Sequence, residues 1–271
     1  MRDFHLLQIV FERPWLITAG GHALVARAVE AHAFRTERAP GVGACGEMVP
    51  VAQMEIADGR AIIPIKGVIG QGLGPIERGF GATDINDVRD DFRAAMADEM
   101  VTSIALWIDS PGGTPSGVFE FAAEMEAARG TKPIVTVCDG DLCSAAYLVA
   151  SATDEIIITP TAQAGSIGVY QPFLDRSQAF QAAGLKQDVL TNGKYKGAGY
   201  PGTSLTPEQR AYLLGQVAQL EEMFFTAVER NRMASRDSMQ GQTFIGQRAI
   251  DAGLADTITN DIRQELLSRN K

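Results

Sequence analysis

The sequence predicts an α/β fold of repeated strand-then-helix units, with an N-terminal arm before them and a helical part after them. From residue 60 onward, short runs rich in β-branched residues alternate with segments of helical periodicity. The runs are continuously apolar, as is typical of parallel strands buried on both faces. The chain has 271 residues, of which 45% are hydrophobic and 21% charged, enough for one large domain. Together these features predict a largely parallel sheet with helical crossovers.

The first 52 residues are predicted to be an arm and linker, and residues 53–271 the main domain. Residues 1–33 suggest a short apolar strand or turn followed by an amphipathic helix that begins near His22. Residues 34–52 contain Pro40 and several glycines, a composition typical of a linker.

In the main domain the predicted elements alternate along the chain. The predicted strands are 61–69, 103–108, 133–137 and 155–159, and the predicted helices are 84–98, 115–129 and 144–152. A longer helix is expected from Thr206 to about residue 235, because Thr206, Pro207 and Gln209 form a capping sequence.

Glycine-rich segments at 70–74 and 79–81 predict a mobile loop beside a cleft. Their spacing differs from that of dinucleotide-binding loops, and no helix is expected directly after residue 74. A phosphate-binding loop is therefore the weaker interpretation.

Composition excludes several classes of function. The net charge of −9 argues against nucleic acid or an anionic membrane as a partner. No apolar stretch approaches the ~18 residues of a membrane span, so we expect a cytoplasmic protein without a membrane anchor. Cys45, Cys138 and Cys143 have neither disulfide-framework nor zinc-site spacing, and we expect no cofactor or metal.

Two turns at strand ends are candidates for the chemistry. Gly112 and Gly113 follow the strand that ends near residue 108, and glycines there can expose backbone N–H groups to an oxyanion. Ser144 stands at the start of the next predicted helix, where it is either an N-cap or a nucleophile. Cys143 could also be the nucleophile, although a buried small hydrophobe is the better interpretation.

The base in such a site is predicted to be an amine. All three histidines lie in the first 32 residues, so a Ser-His-Asp triad would require the arm to fold back over the site. Lysine is scarce, and the segment around Lys196 contains no carboxylate to stabilise its charge. Burial disfavours the charged form of a lysine, which makes Lys196 the preferred base and Lys194 the nearest competitor.

Six ordered motifs carry a resemblance to a known family. They are Asp109-Ser-Pro-Gly-Gly113, Cys143-Ser-Ala-Ala-Tyr147, Ala152-Thr-Asp-Glu-Ile156, Gly165-Ser-Ile-Gly-Val169, Asn192-Gly-Lys-Tyr-Lys196 and Thr243-Phe-Ile-Gly-Gln-Arg-Ala-Ile-Asp-Ala-Gly-Leu-Ala-Asp256. In this order they resemble the signal peptide peptidase A family of serine proteases, family S49. The resemblance implies a ClpP/crotonase-like fold, a Ser-Lys dyad and a homo-oligomer with active sites on a concave inner surface.

The resemblance also assigns roles to particular residues. Ser144 matches the nucleophile, Lys196 the general base and Ser166 the hydroxyl that orients the lysine amine. Gly113 and Ala145 match the oxyanion N–H donors, and their neighbours Gly112 and Ala146 are expected to contact substrate.

The arm and the lack of a membrane anchor make the sequence most similar to the soluble, phage-type branch of the family. Members of that branch are prohead or minor capsid proteases that trim scaffold and coat proteins. A role in phage prohead, capsid or scaffold maturation would place the protein in the bacterial host cytoplasm or inside the prohead. The expected partners are a peptide or protein substrate and further copies of the chain.

Two other functions remain open on the sequence alone. A crotonase-type acyl-CoA enzyme would share the fold and the paired N–H groups, but normally needs a carboxylate where this sequence has Ser144. A catalytically inactive shell or scaffold subunit could also use the fold. For a protease, we expect extended substrates that add a strand beside Gly112 and Gly113, with cleavage after small or apolar residues.

Overall fold

The computed structural model describes residues 10, 13–33, 53–79 and 81–267, and these form a mixed α/β fold. The strands are β1 (Leu16–Ile17), β2 (Glu55–Ala57), β3 (Arg60–Lys66), β4 (Ile69–Gly70), β5 (Thr83–Asp84), β6 (Ser103–Ser110), β7 (Gly112–Gly113), β8 (Ile134–Cys143), β9 (Glu155–Ile158), β10 (Gln163–Gly165), β11 (Thr243–Ile245) and β12 (Thr257–Ile258). The helices are α1 (Ala19–Ala33), α2 (Pro75–Gly79), α3 (Ile85–Ala97), α4 (Val118–Ala128), α5 (Ala145–Ser151), α6 (Ser177–Ala182), α7 (Pro207–Glu229), α8 (Gln247–Asp251) and α9 (Ile262–Leu267).

The larger sheet has parallel strands at its centre. Its order is β11-β10-β8-β6-β3-β2, and β9 pairs with both β8 and β12. Strands β3, β6, β8, β9 and β10 run parallel to one another, whereas the edge strands β2 and β11 pair antiparallel with β3 and β10. The predicted parallel sheet with helical crossovers is therefore confirmed for the described residues.

A second, small sheet forms next to the carboxyl ends of the central strands. Its order is β1-β7-β4-β5. Strand β7 pairs with β1 antiparallel and with β4 parallel, so both of its edges are hydrogen-bonded. This small sheet carries Gly112 and Gly113, and it therefore positions one of the two predicted turns.

The main core lies between the larger sheet and its helices. Helix α5 is buried along its whole length, from Ala145 to Ser151. The hydroxyl of Tyr147 in this helix donates to the carbonyl of Leu254, 3.1 Å away, so the one polar group of its side chain is satisfied in the core. Because every residue of α5 is packed in the core, the position of Ser144, directly before the helix, is also fixed.

Most predicted elements are confirmed, with bounds within a few residues, and three expectations are corrected. Strand β8 continues to Cys143 through the segment expected to turn at Cys138, because its second half pairs with β10. Strand β3 ends at Lys66, since Gly67 has a φ of 62° and a Cβ there would collide with the carbonyl of Gly81. Helix α2 begins directly after Gly74, where no helix was expected.

The arm is partly described. Residues 13–33 contain β1 and α1, which confirms the predicted strand and helix, whereas the predicted linker at 34–52 lies outside the described residues. The division into an arm and a main domain at residue 52 remains a prediction. Within the described ranges, no helix is long and apolar enough to cross a membrane.

Candidate active site

Ser144 occupies a sharp turn between β8 and α5. Its backbone has φ 55° and ψ −118°, a conformation that non-glycine residues adopt rarely and at a cost of about 1–3 kcal/mol. The turn is fixed by the Ser144 N–H, which donates to the carbonyl of Gly165 at 2.8 Å. The side chain is fully buried, and its Oγ has no hydrogen-bond partner within the described residues. A strained turn that presents an unpaired hydroxyl is typical of a nucleophile.

Gly112 packs closely against Ser144, and the neighbouring Gly113 packs closely against Ile69. A Cβ on Gly112, whose φ is 103°, would lie 2.9 Å from the Ser144 Cβ and would collide with the carbonyl oxygen of Leu16. A Cβ on Gly113 would collide with the carbonyl oxygen of Ile69. Glycine is therefore required at both positions, and the structure brings this turn against Ser144.

Ser166 reaches the same place from the neighbouring strand. Cys143 and Gly165 are directly opposite each other in the parallel pair of β8 and β10, so Ser144 and Ser166 leave adjacent strands at the same end. Ser166 also has a positive φ, of 53°, and its N–H donates to the carbonyl of Gln242 at 2.7 Å. The structure thus places the two predicted serines side by side.

Ala145 and Ala146 form the first turn of α5, behind Ser144. The first N–H groups of a helix have no acceptor within it, and Ala145 contributes one of them next to the serine hydroxyl. Both side chains are fully buried. The structure therefore brings six of the seven predicted site residues together: Ser144, Ser166, Gly112, Gly113, Ala145 and Ala146.

Lys196 is the one predicted site residue that the structure does not pack into this cluster. It lies in an irregular segment before α7, its side chain is exposed, and its backbone N–H donates to the carbonyl of Gly193 at 3.1 Å. The expected buried environment of this amine is not found in the single chain. Its Nζ has no partner among the described residues, so the amine is available for an interaction beyond them.

The other described lysines have partners. The Nζ of Lys66 lies 3.8 Å from the Trp107 ring centroid and 3.8 Å from Asp139. Burial lowers the pKa of Lys66, and the nearby Asp139 partly opposes that effect. Lys132 donates to two backbone carbonyls, Lys186 pairs with Asp188, and the Nζ of Lys194 lies 5.3 Å from the Tyr195 ring centroid.

Cys143 is unsuited to be the nucleophile. Its side chain is fully buried, and this burial raises the pKa of the Cys143 thiol far above its ordinary value. Burial likewise raises the pKa of Cys138 to about 12. The reactive thiolate is therefore disfavoured at both positions, which confirms that Cys143 is a buried small side chain.

A large cleft adjoins the serine turn. Its volume is about 1390 Å³, and its lining includes the glycine-rich loop at 67–73, Asp109, Thr114 and residues of the arm. Residues 70–73 of the predicted loop thus lie beside a cleft, and the mobility of the loop stays a prediction. The N–H groups of Gly72 and Leu73 donate to the Asp84 carboxylate, which anchors the loop and removes these donors from any phosphate.

The arm contacts the site, which the sequence did not indicate. Leu16 lies opposite Gly113 and Ile17 opposite Gly112 in an antiparallel pair, and both side chains are buried. The predicted substrate strand beside Gly112 and Gly113 therefore has no open edge in this structure. The only available signal was the apolar run from Trp15 to Ile17, which is too short to reveal its partner.

Comparisons with known proteins agree with these motifs. The model of peptidase family S49 matches residues 126–267. The chain is 31% identical over 214 residues to the head-tail preconnector protein GP5 of Enterobacteria phage P21, covering 78% of this chain and 43% of that protein. It is 30% identical over 209 residues to capsid assembly protease C of Escherichia phage lambda, covering 76% and 48%. Protease 4 of Salmonella typhi is 25% identical over 183 residues, covering 66% and 29%.

The coverage of these relatives is partial. The chain spans about half the length of the two phage proteins that it matches.

Proposed function

Because this chain belongs to peptidase family S49, we propose that it is a serine endopeptidase with a Ser-Lys dyad. The observation that carries the proposal is the backbone turn at Ser144, where a residue with a buried, unpaired hydroxyl packs against Gly112, a position with no room for a side chain. The ClpP/crotonase-like fold is part of the same proposal, supported by the parallel strands that end at the two turns.

The proposed mechanism assigns one role to each residue. Ser144 Oγ attacks the carbonyl carbon of the scissile peptide bond while the neutral amine of Lys196 takes its proton. The N–H groups of Gly113 and Ala145 stabilise the oxyanion of the tetrahedral intermediate. The protonated amine then gives its proton to the leaving nitrogen as the C–N bond breaks, and water hydrolyses the acyl-enzyme. Ser166 orients the lysine amine.

We further propose that Lys196 comes from another copy of the chain. The segment that carries it exposes large apolar side chains, which in solution favours contact with a partner. These are Leu174, Leu185, Leu190, Tyr195 and Tyr200. Burial in such an interface would also supply the desolvation that a lysine needs in order to act as a base.

The substrate is proposed to be an extended protein segment. The names of the two phage relatives, a capsid assembly protease and a head-tail preconnector protein, support a role in trimming capsid or scaffold proteins during phage assembly.

The dyad is tested by alanine substitution with a matched control. We expect Ser144→Ala and Lys196→Ala each to lower kcat at least ~10³-fold, with no further loss in the double variant, because the two groups act as one unit. Lys194→Ala, two residues away and equally exposed, should retain near-normal turnover. A fluorophosphonate probe should label Ser144 in the parent chain. If Lys194→Ala and not Lys196→Ala abolishes turnover, the base is misassigned.

Mixing the two inactive variants tests the origin of the lysine. If the dyad forms between copies, Ser144→Ala supplies Lys196 and Lys196→Ala supplies Ser144, so hybrid assemblies should regain activity. Complete inactivity of a mixture shown by mass spectrometry to contain hybrids would place both groups in one chain.

A further inference from the structure

The arm covers the candidate nucleophile. Ser144 is 0% exposed, and Leu16 above it is also 0% exposed. A Cβ placed on Gly112 would collide with the carbonyl oxygen of Leu16 and would lie 2.9 Å from the Cβ of Ser144. Leu16 and Ser144 therefore both pack on Gly112. No external peptide carbonyl can reach Ser144 while the arm stays in this position.

The arm is held as an extended peptide between two backbone edges. On one side, β1 pairs antiparallel with Gly112 and Gly113. On the other side, the Trp15 N–H donates to the Tyr170 carbonyl at 2.8 Å, and the Tyr170 N–H donates to the Trp15 carbonyl at 3.2 Å. Main-chain pairing of this kind is how many clefts bind extended peptides without a strict sequence requirement.

The register shows which carbonyl of the arm faces the proposed oxyanion donor. The Thr18 N–H donates to the Pro111 carbonyl at 2.9 Å, so Thr18 and Pro111 form a hydrogen-bonded pair. The next pair along the ladder, Ile17 and Gly112, is therefore a non-hydrogen-bonded pair. Because hydrogen-bonded and non-hydrogen-bonded pairs alternate in an antiparallel ladder, the pair of Leu16 and Gly113 exchanges both N–H···O bonds. The Gly113 N–H is thus directed at the Leu16 carbonyl, as it would be at a scissile carbonyl.

We propose that the arm segment Trp15–Thr18 closes the candidate active site by occupying the cleft between Gly113 and Tyr170 as a strand antiparallel to β7. A substrate must replace this segment before it can reach Ser144. This inference rests on the proposed serine protease and adds a segment of the chain itself that controls access to its nucleophile.

The attachment of the arm explains why it competes well with substrate. Helix α1 follows directly, and Gly21 in its first turn packs so closely on Pro111 that a Cβ would lie 2.7 Å from the proline Cβ. An occupant tethered in this way acts at an effective concentration on the order of millimolar. External peptides therefore bind weakly until the arm is displaced.

A binding measurement tests the occupant without requiring catalysis. The full chain carrying Ser144→Ala is titrated against a fluorescent peptide with the sequence Pro-Trp-Leu-Ile-Thr-Ala, which is that of residues 14–19. Adding Leu16→Asp, which cannot be buried cheaply, should release the arm and strengthen peptide binding at least tenfold. Met100→Asp, at an exposed position after α3 that does not line the cleft, is the matched control and should leave binding weak. A folded Leu16→Asp chain that binds no more tightly than the control would overturn the proposal.

A disulfide that ties the arm to the cleft allows the oxidised and reduced forms of one chain to be compared. The result therefore does not depend on comparing the stabilities of different variants. Residues 15 and 170 form a hydrogen-bonded antiparallel pair, for which the Cα separation of about 5.5 Å suits a disulfide. With Trp15→Cys and Tyr170→Cys in the Ser144→Ala chain, the peptide should bind at least tenfold more tightly after reduction. Equal binding in the oxidised and reduced states would refute the arm as occupant.

The same lock separates this inference from the proposed function. In a chain that keeps Ser144, reduction should also release hydrolysis of the peptide after its leucine. If peptide binding switches with reduction but hydrolysis is absent in both states, the occupant is supported and the protease proposal fails.

Discussion

Replacing the nucleophile should stabilise the protein. A buried hydroxyl without a hydrogen-bond partner costs about 1–3 kcal/mol, and the Ser144 Oγ is such a group in the described structure. Ser144→Ala removes that oxygen and should raise the free energy of unfolding by about 1 kcal/mol. Ser144→Gly should add about another 1 kcal/mol, because glycine adopts the φ of 55° without strain.

Thr153→Val is the matched control for this prediction. Thr153 is also fully buried, but its hydroxyl has an acceptor for its one proton, the Ala150 carbonyl at 2.8 Å. Removing a satisfied hydroxyl should therefore lower the free energy of unfolding, by about 1–3 kcal/mol. The two substitutions each delete one buried hydroxyl and are expected to act in opposite directions.

Urea unfolding followed by circular dichroism measures both changes in the free energy of unfolding. The variants can be compared if their m values equal that of the parent, because the m value reports the surface exposed on unfolding. If Ser144→Ala destabilises the protein as Thr153→Val does, the serine hydroxyl has a partner in the folded state. That result would refute the unpaired nucleophile.

Four further predictions concern the site and the buried residues near it. Ser166→Ala should lower kcat less than Lys196→Ala does, because Ser166 only orients the amine; peptide hydrolysis that equals the parent's would remove it from the site. Iodoacetamide should modify Cys138 and Cys143 only in unfolded protein, as measured by peptide mass spectrometry, and modification of the folded chain at pH 8 would contradict their burial. The pKa of Cys138 is raised from 9.0 to about 12, so the stability that its neutral thiol contributes should be complete below pH 9 and lost as pH rises towards 12, which alkaline unfolding curves can test. A peptide library should show cleavage after alanine, serine or leucine, and dominant cleavage after charged residues would contradict the apolar position occupied by Leu16.

Local patterns were sufficient to predict the main strands and helices. The helices at 85–97 and 118–128 differ from their predicted bounds by three residues at most, because their periodicity and their N-terminal caps, Asp84 and Gly117, are local features. The continuation of β8 to Cys143 was not predictable in this way. It depends on pairing with β10, whose residues lie about twenty positions further along the chain.

The glycine turn was predicted because glycines at a strand end tolerate unusual backbone angles, and the serine turn because Ser144 stands at the start of a predicted helix. The position of the arm could not be predicted, since two residues of β1 carry too little pattern to specify a partner almost a hundred residues away. Lys196 was predicted to be buried because no carboxylate lies near it in the sequence, but it is exposed in the structure, since local composition does not specify which segment packs on a residue.

The packing of Trp15 gives the molecule a built-in optical reporter. The chain contains two tryptophans, and Trp15 is buried with its ring centroid 5.3 Å from that of His22, which in turn lies 5.7 Å from Tyr170. Departure of the arm would transfer this indole from an aromatic cluster to water, while Trp107 would stay in the sheet beneath Lys66. The tryptophan emission spectrum of the native protein therefore reports, in real time and without a label, whether the arm occupies the cleft.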